Sequence, residues 1–187
     1  TAYITDSGDG ALIVVDLRTG AGRRVLDDHP STAAEDTVLT FEGNRWLLPD
    51  GSAPRVHADG IAYDRIGDFV YYQALTGRTL YRIAGTALRD ASIDEEALGA
   101  MVDVVADSGP SDGLLWDEAD GIFISAIEDD AVKRWNSDRG VETVIADLEK
   151  SLISHALEKA GNSKTRAAEL LKVSFRSLRY KAKKYDL

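Results

Sequence analysis

Residues 163–185 read SKTRAAELLKVSFRSLRYKAKKY, and this stretch decides the architecture of the end of the chain. Ser163 is placed to cap a short helix over Lys164 to Leu171, its side-chain oxygen accepting from a backbone N–H of the first turn. Lys172 and Val173 form a tight turn, and Ser174 is a second cap for a helix from Phe175 to Tyr185. In that last helix Leu178 and Ala182 stand four apart and face inward. Arg176, Arg179, Lys183 and Lys184 are left largely outward. A basic helix presented by a short preceding one has the geometry that enters a major groove.

Toward the N-terminus, Gly161-Asn162 closes an earlier helix. Its Leu148, Leu152, Ala156, Leu157 and Ala160 recur on one face at a spacing of about 3.6 residues. That face needs a partner. The expected partner is a second copy, with Leu148, Leu152, Ala156 and Leu157 as the dimerisation seam. Charge draws a boundary at the same place. Residues 148–187 hold ten Lys and Arg against four Asp and Glu, and residues 1–147 hold twelve against twenty-eight. Balances of +6 and −16 inside a net charge of −10 divide the chain into two units, an acidic one that repels nucleic acid and a basic one that attracts it. The expected domains are 1–147 and 148–187.

The acidic part has a period of two. Ala2–Thr5, Ala11–Leu17, Phe69–Tyr72, Thr79–Ile83, Val102–Val105, Ile122–Ser125 and Val141–Ile145 are short β-rich runs, punctuated by pairs such as Asp9-Gly10, Gly43-Asn44 and Asp120-Gly121 that suit hairpin turns. An internal repeat relates them: Asp59-Gly-Ile-Ala-Tyr-Asp64 returns as Asp112-Gly-Leu-Leu-Trp-Asp117, and Phe69–Tyr72 returns as Ile122–Ser125, both 53 residues on. Four antiparallel strands in a unit of ~40–50 residues is the pattern of a β-propeller blade. Two insertions interrupt it. One is a hairpin over Thr37–Leu48, and the other is a short helix over Leu88–Ala100 with a capping box from Ser92 to Glu95. Fewer than three complete blades are present, so the chain alone cannot close a ring.

The motifs Ala2-Tyr-Ile-Thr-Asp6, Leu12-Ile-Val-Val-Asp16, His57-Ala-Asp-Gly-Ile-Ala62, Leu80-Tyr-Arg-Ile83 and Pro110-Ser-Asp-Gly-Leu114 together resemble the bacterial members of the major royal jelly and Yellow family. That resemblance covers roughly residues 1–147 and implies half of a six-bladed β-propeller, about three four-stranded blades. Arg166-Ala-Ala-Glu-Leu-Leu171, Val173-Ser174 and Leu178-Arg-Tyr-Lys181 resemble the helix-turn-helix of Fis and of NtrC-type activators, over nearly all of the last forty residues. The fold class expected from both is mainly β with a small three-helix domain. The second resemblance implies contacts to bases or adjacent phosphates from Ser177 and Arg179, and to phosphates from Thr165, Lys181 and Lys183. Arg176 and Lys184 join them as outward basic residues. Phe175 stands where that family usually has Arg.

No catalytic constellation is legible. Asp6, Asp59 and Asp112 would lie near the mouth of a propeller channel, where a cation could be held, but the repeat positions of the Asp-Gly pairs favour a turn-shaping role before the strand. His29 and His57 fall in loops without a second-ligand spacing. The expectation is no enzyme, no metal and no cofactor. With no cysteine in the sequence, disulfides and thiolate metal sites are excluded. No apolar run approaches the ~18 residues of a membrane span, so a soluble chain without a membrane partner is expected, cytoplasmic if made as it stands. Nothing resembling a linker separates Val141–Asp147 from Leu148. The junction therefore suggests an engineered chimera, a homodimer in which the helical unit brings two half-propellers into one ring and keeps weak affinity for double-stranded DNA. The alternative is a ligand-sensing transcriptional regulator that binds DNA through its C-terminal helix-turn-helix. A propeller enzyme of lactonase type is third.

Overall fold

The computed structural model describes residues 1–187 and divides into two compact units, Thr1–Glu142 and Thr143–Leu187. The strands form four open antiparallel sheets, one of them only a two-stranded hairpin. β1 (Ala2–Asp6), β2 (Ala11–Val15) and β3 (Gly22–Val25) form a three-stranded sheet in sequence order. β4 (Thr40–Phe41) and β5 (Asn44–Arg45) make a small separate hairpin within the expected Thr37–Leu48 insertion. β6 (Ala58–Asp64), β7 (Phe69–Ala74), β8 (Thr79–Ala84) and β9 (Asp103–Asp107) form a four-stranded sheet. β10 (Ser111–Asp117), β11 (Gly121–Ala126), β12 (Ala131–Asn136) and β13 (Gly140–Thr143) form another.

The middle sheet is covered on both faces, and the sequence of β7 shows why. A strand buried on two sides reads as a near-continuous apolar run, and Val70, Tyr71 and Tyr72 are all buried. Tyr72 joins Leu12, Val14, Val25 and Ile83 in one core, while Tyr71 points the other way into a second core with Leu80, Ile122 and Ile124. There Tyr71 stacks on Trp116 at 5.5 Å between ring centroids. Gln73, next along β7, is fully buried and has to be paired. Its Nε2 donates to the carbonyls of Gly109 and Gly77, and its Oε1 accepts from the Ser108 hydroxyl at 2.7 Å. The 53-residue repeat is visible as a shared irregularity. β6 slips register between Ala58 and Gly60, and β10 slips between Ser111 and Leu114, at the two Asp-Gly sites. A Cβ on Gly60 would sit 3.2 Å from Leu114 Cγ, so the repeats meet where both strands bulge.

These sheets correct the propeller expectation. Each consecutive strand pairs only with its sequence neighbours, every sheet keeps two free edges, and none closes on itself or bonds to another. The architecture is a mixed one of antiparallel sheets and helices. Half of a six-bladed ring is not what it shows, and a chimera that completes such a ring by dimerisation loses its structural basis with it. A smaller correction concerns the second insertion, which holds two helices, α1 (Gly85–Arg89) and α2 (Glu95–Gly99). Asp94, not Ser92, caps α2 by accepting from the Ala97 N–H at 2.8 Å. Glu95 does not reach back, because its carboxylate accepts instead from the Leu26 N–H. The Ser92 hydroxyl donates to Asp90.

The second unit is helical: α3 (Ile145–Lys159), α4 (Lys164–Leu171) and α5 (Phe175–Lys184). Its core is Ile153, Ala156, Leu157, Ala160, Ala167, Ala168, Leu178 and Ala182, with Leu171, Tyr185 and Leu187 packed on it. Five of those eight core residues are alanine, which lets the three helices approach closely and leaves a small core for so short a unit. Helix α3 begins three residues before Leu148. No helix in the structure is long and apolar enough to cross a membrane.

Candidate nucleic-acid interface

Local chemistry fixes the angle between α4 and α5. The Ser163 hydroxyl accepts from the Arg166 N–H to open α4, and the Ser174 hydroxyl accepts from the Ser177 N–H at 3.1 Å to open α5. Between them Lys172 takes a left-handed conformation, φ 55° and ψ 36°, which terminates α4 after Leu171. Only three residues, 172–174, separate the helices, as in a helix-turn-helix. The end of α3 is closed similarly, with Gly161 at φ 60° and Asn162 at φ 63°, two residue types that tolerate that region.

Helix α5 turns Leu178 and Ala182 into the core. Arg176, Arg179, Lys183 and Lys184 are exposed, and the first three form no ion pair. Lys184 Nζ lies 5.5 Å from the Tyr185 ring centroid. Thr165 and Arg166 are exposed on the first turn of α4, while Ser177 is half-buried. Tyr180 also lies on the outward face of α5, a residue the sequence reading passed over.

Lys181 differs from the expectation. Its ammonium is engaged with the Glu149 carboxylate of α3, and the Tyr185 hydroxyl donates to the other Glu149 oxygen at 2.7 Å. Burial raises the Glu149 pKa, but the bonds from Lys181 and Tyr185 outweigh it and hold the carboxyl below the usual glutamate value. Glu149 therefore anchors α5 to α3. The sequence hides this because the partners stand 32 and 36 positions apart. Lys164 is likewise committed, donating to the Leu187 carbonyl.

The expected dimer seam also separates. Ala156 and Leu157 belong to the unit's own core, since α4 and α5 already cover that side of α3. Leu148, 57% exposed, and Leu152, 51% exposed, are left on the surface together with Ile145.

Of the three carboxylates named in the first unit, Asp59 and Asp112 lie near each other, and Asp6 makes contacts of its own. Asp6 pairs with Arg24 and accepts from the Gly8 and Asp9 N–H groups, a turn role, and Arg24 above all lowers its pKa. Burial, then the nearby Asp112 carboxylate, raises the pKa of Asp59. No group of three His, Asp or Glu side chains is placed to hold a metal ion. His29 shares a hydrogen bond with Ser31, whose hydroxyl bonds the buried Tyr72 hydroxyl at 2.7 Å. His57 Nδ1 accepts from the Ala34 N–H, so both imidazoles hold loops.

Comparison with known proteins places a family on the second unit alone. Residues 144–185 match the bacterial regulatory protein, Fis family. The three helices of the C-terminal unit coincide with that match, and α4 and α5 have the arrangement of a helix-turn-helix. No curated protein matches the chain. Among solved structures, the chain is similar to virginiamycin B lyase from Staphylococcus aureus at 11% identity and a TM-score of 0.37, over 76% of this chain and 51% of that one. It is similar to regucalcin, a calcium-binding protein from Agrobacterium tumefaciens, at 19% identity and a TM-score of 0.34, over 75% and 55%. A chain of a nidogen/laminin complex follows at 10% identity and a TM-score of 0.32, over 72% and 54%. The chain spans about half the length of these structures. Likeness at this level transfers neither activity nor ligand.

Proposed function

We propose that the protein is a DNA-binding regulator whose C-terminal unit seats α5 in the major groove, with Arg176, Arg179 and Lys183 on bases and phosphates and Thr165 on a phosphate. The observation that carries this reading is the face of α5: three exposed, unpaired cations on a helix capped by Ser174, in a unit that matches the Fis family. The acidic first unit does no groove binding and keeps the protein off non-specific polyanions. The finer part of the proposal is a homodimer. Ile145, Leu148 and Leu152 form an apolar strip on α3 that the unit's own core leaves uncovered, and a two-fold partner would present a second α5 to the next half-site.

Salt dependence tests the reading. Three phosphate-neutralising cations per helix, twice over in a dimer, give a slope of about −5 in log K against log salt. Affinity of the full chain for duplex DNA should fall by about 10³-fold between ~50 and ~200 mM salt. No binding at the lower salt, or a slope near zero, would remove the proposal.

A further inference from the structure

Phe175 is the first residue of α5, directly after the Ser174 cap, and its side chain is 49% exposed. It belongs to no apolar cluster and stacks on no other ring. In the free protein, a phenyl group half in water on a helix of Lys and Arg is unfavourable, because its apolar area is left in water. Its position explains what could cover it. The N-terminal residues of a recognition helix meet base edges, and the one apolar group on a major-groove edge is the thymine C5-methyl. Arg176 and Arg179, one and four positions on, are exposed and form no ion pair, so the start of the helix carries positive charge. That combination suits a polyanion bearing methyl groups. It does not suit an apolar protein surface, which would leave both guanidinium groups desolvated and unpaired.

We infer that Phe175 is a specificity-determining residue that reads one thymine per half-site through its C5-methyl. This rests on the DNA-binding reading above. A residue of this kind sets which sequences are bound, while the cations set how tightly any duplex is held.

The test uses the full chain and duplexes enriched from a random pool at fixed salt. Each thymine of an enriched duplex is replaced in turn by uracil, which keeps the base pair and removes only the methyl. One thymine per half-site should weaken binding about four-fold on replacement, the transfer value of one buried methylene-sized group. Phe175→Ala should abolish that difference between thymine and uracil while leaving the salt slope unchanged. Phe175→Met, which keeps an apolar side chain, should retain it. If Phe175→Ala shows the same sensitivity as the parent, or if no thymine replacement matters to the parent, the inference is overturned while DNA binding stands. Enrichment of no duplex overturns both.

Discussion

Replacing Arg176, Arg179 and Lys183 together by alanine should abolish DNA binding at ~200 mM salt, weakening it by about 10³-fold or more. The arithmetic has two parts. An arginine that reads a base is worth about 1–3 kcal/mol, and a dimer presents two copies of Arg179. All three cations also act through counterion release, each removing about 0.9 from the salt slope when lost. All three side chains are exposed and outside the core, so the helical signal and thermal unfolding of the variant should match the parent. Duplex titration at two salt concentrations, with circular dichroism as the folding control, checks this. A variant that binds within a few-fold of the parent would mean that DNA is held elsewhere.

Leu148→Asp with Leu152→Asp should convert a dimer into a monomer and cost about 10²- to 10⁴-fold in affinity, since the second half-site would no longer be reached intramolecularly. The core of the helical unit does not use these two side chains, so it should survive the change. Sedimentation equilibrium reads the first effect and the duplex titration reads the second. Should the parent itself be a monomer at micromolar concentration, the dimer part of the proposal fails and the groove-binding part does not.

The change of charge sign along the chain is legible without contacts, because charge is a sum over residues, and it falls within a few residues of the boundary between the two compact units. The caps Ser163 and Ser174 and the inward pair Leu178 and Ala182 were legible for a related reason, because capping and helical periodicity act over three or four residues. Failures came where long-range contacts decide. Ala156 and Leu157 have the spacing of a dimer seam, but that spacing says only that the face is covered, and here α4 and α5 cover it. Lys181 reads as one more outward cation until Glu149, 32 residues earlier, takes it. Ser92 and Glu95 have the spacing of a capping box, yet Glu95 is drawn away by the Leu26 N–H across the core. The propeller expectation failed in the same way. Strands, turns and the 53-residue repeat are local and are present, whereas closure of a ring depends on how sheets meet, and these sheets remain open.

The central claim is that DNA meets the exposed face of α5 and the first turn of α4. Backbone amide shifts of the isotope-labelled full chain, followed as a duplex is added at ~50 mM salt, test this most directly. The account predicts shifts concentrated at Thr165, Arg166 and Phe175 to Lys183, with the amides of β1 to β13 unmoved. Shifts centred on the sheets, or none at saturating duplex, would contradict it.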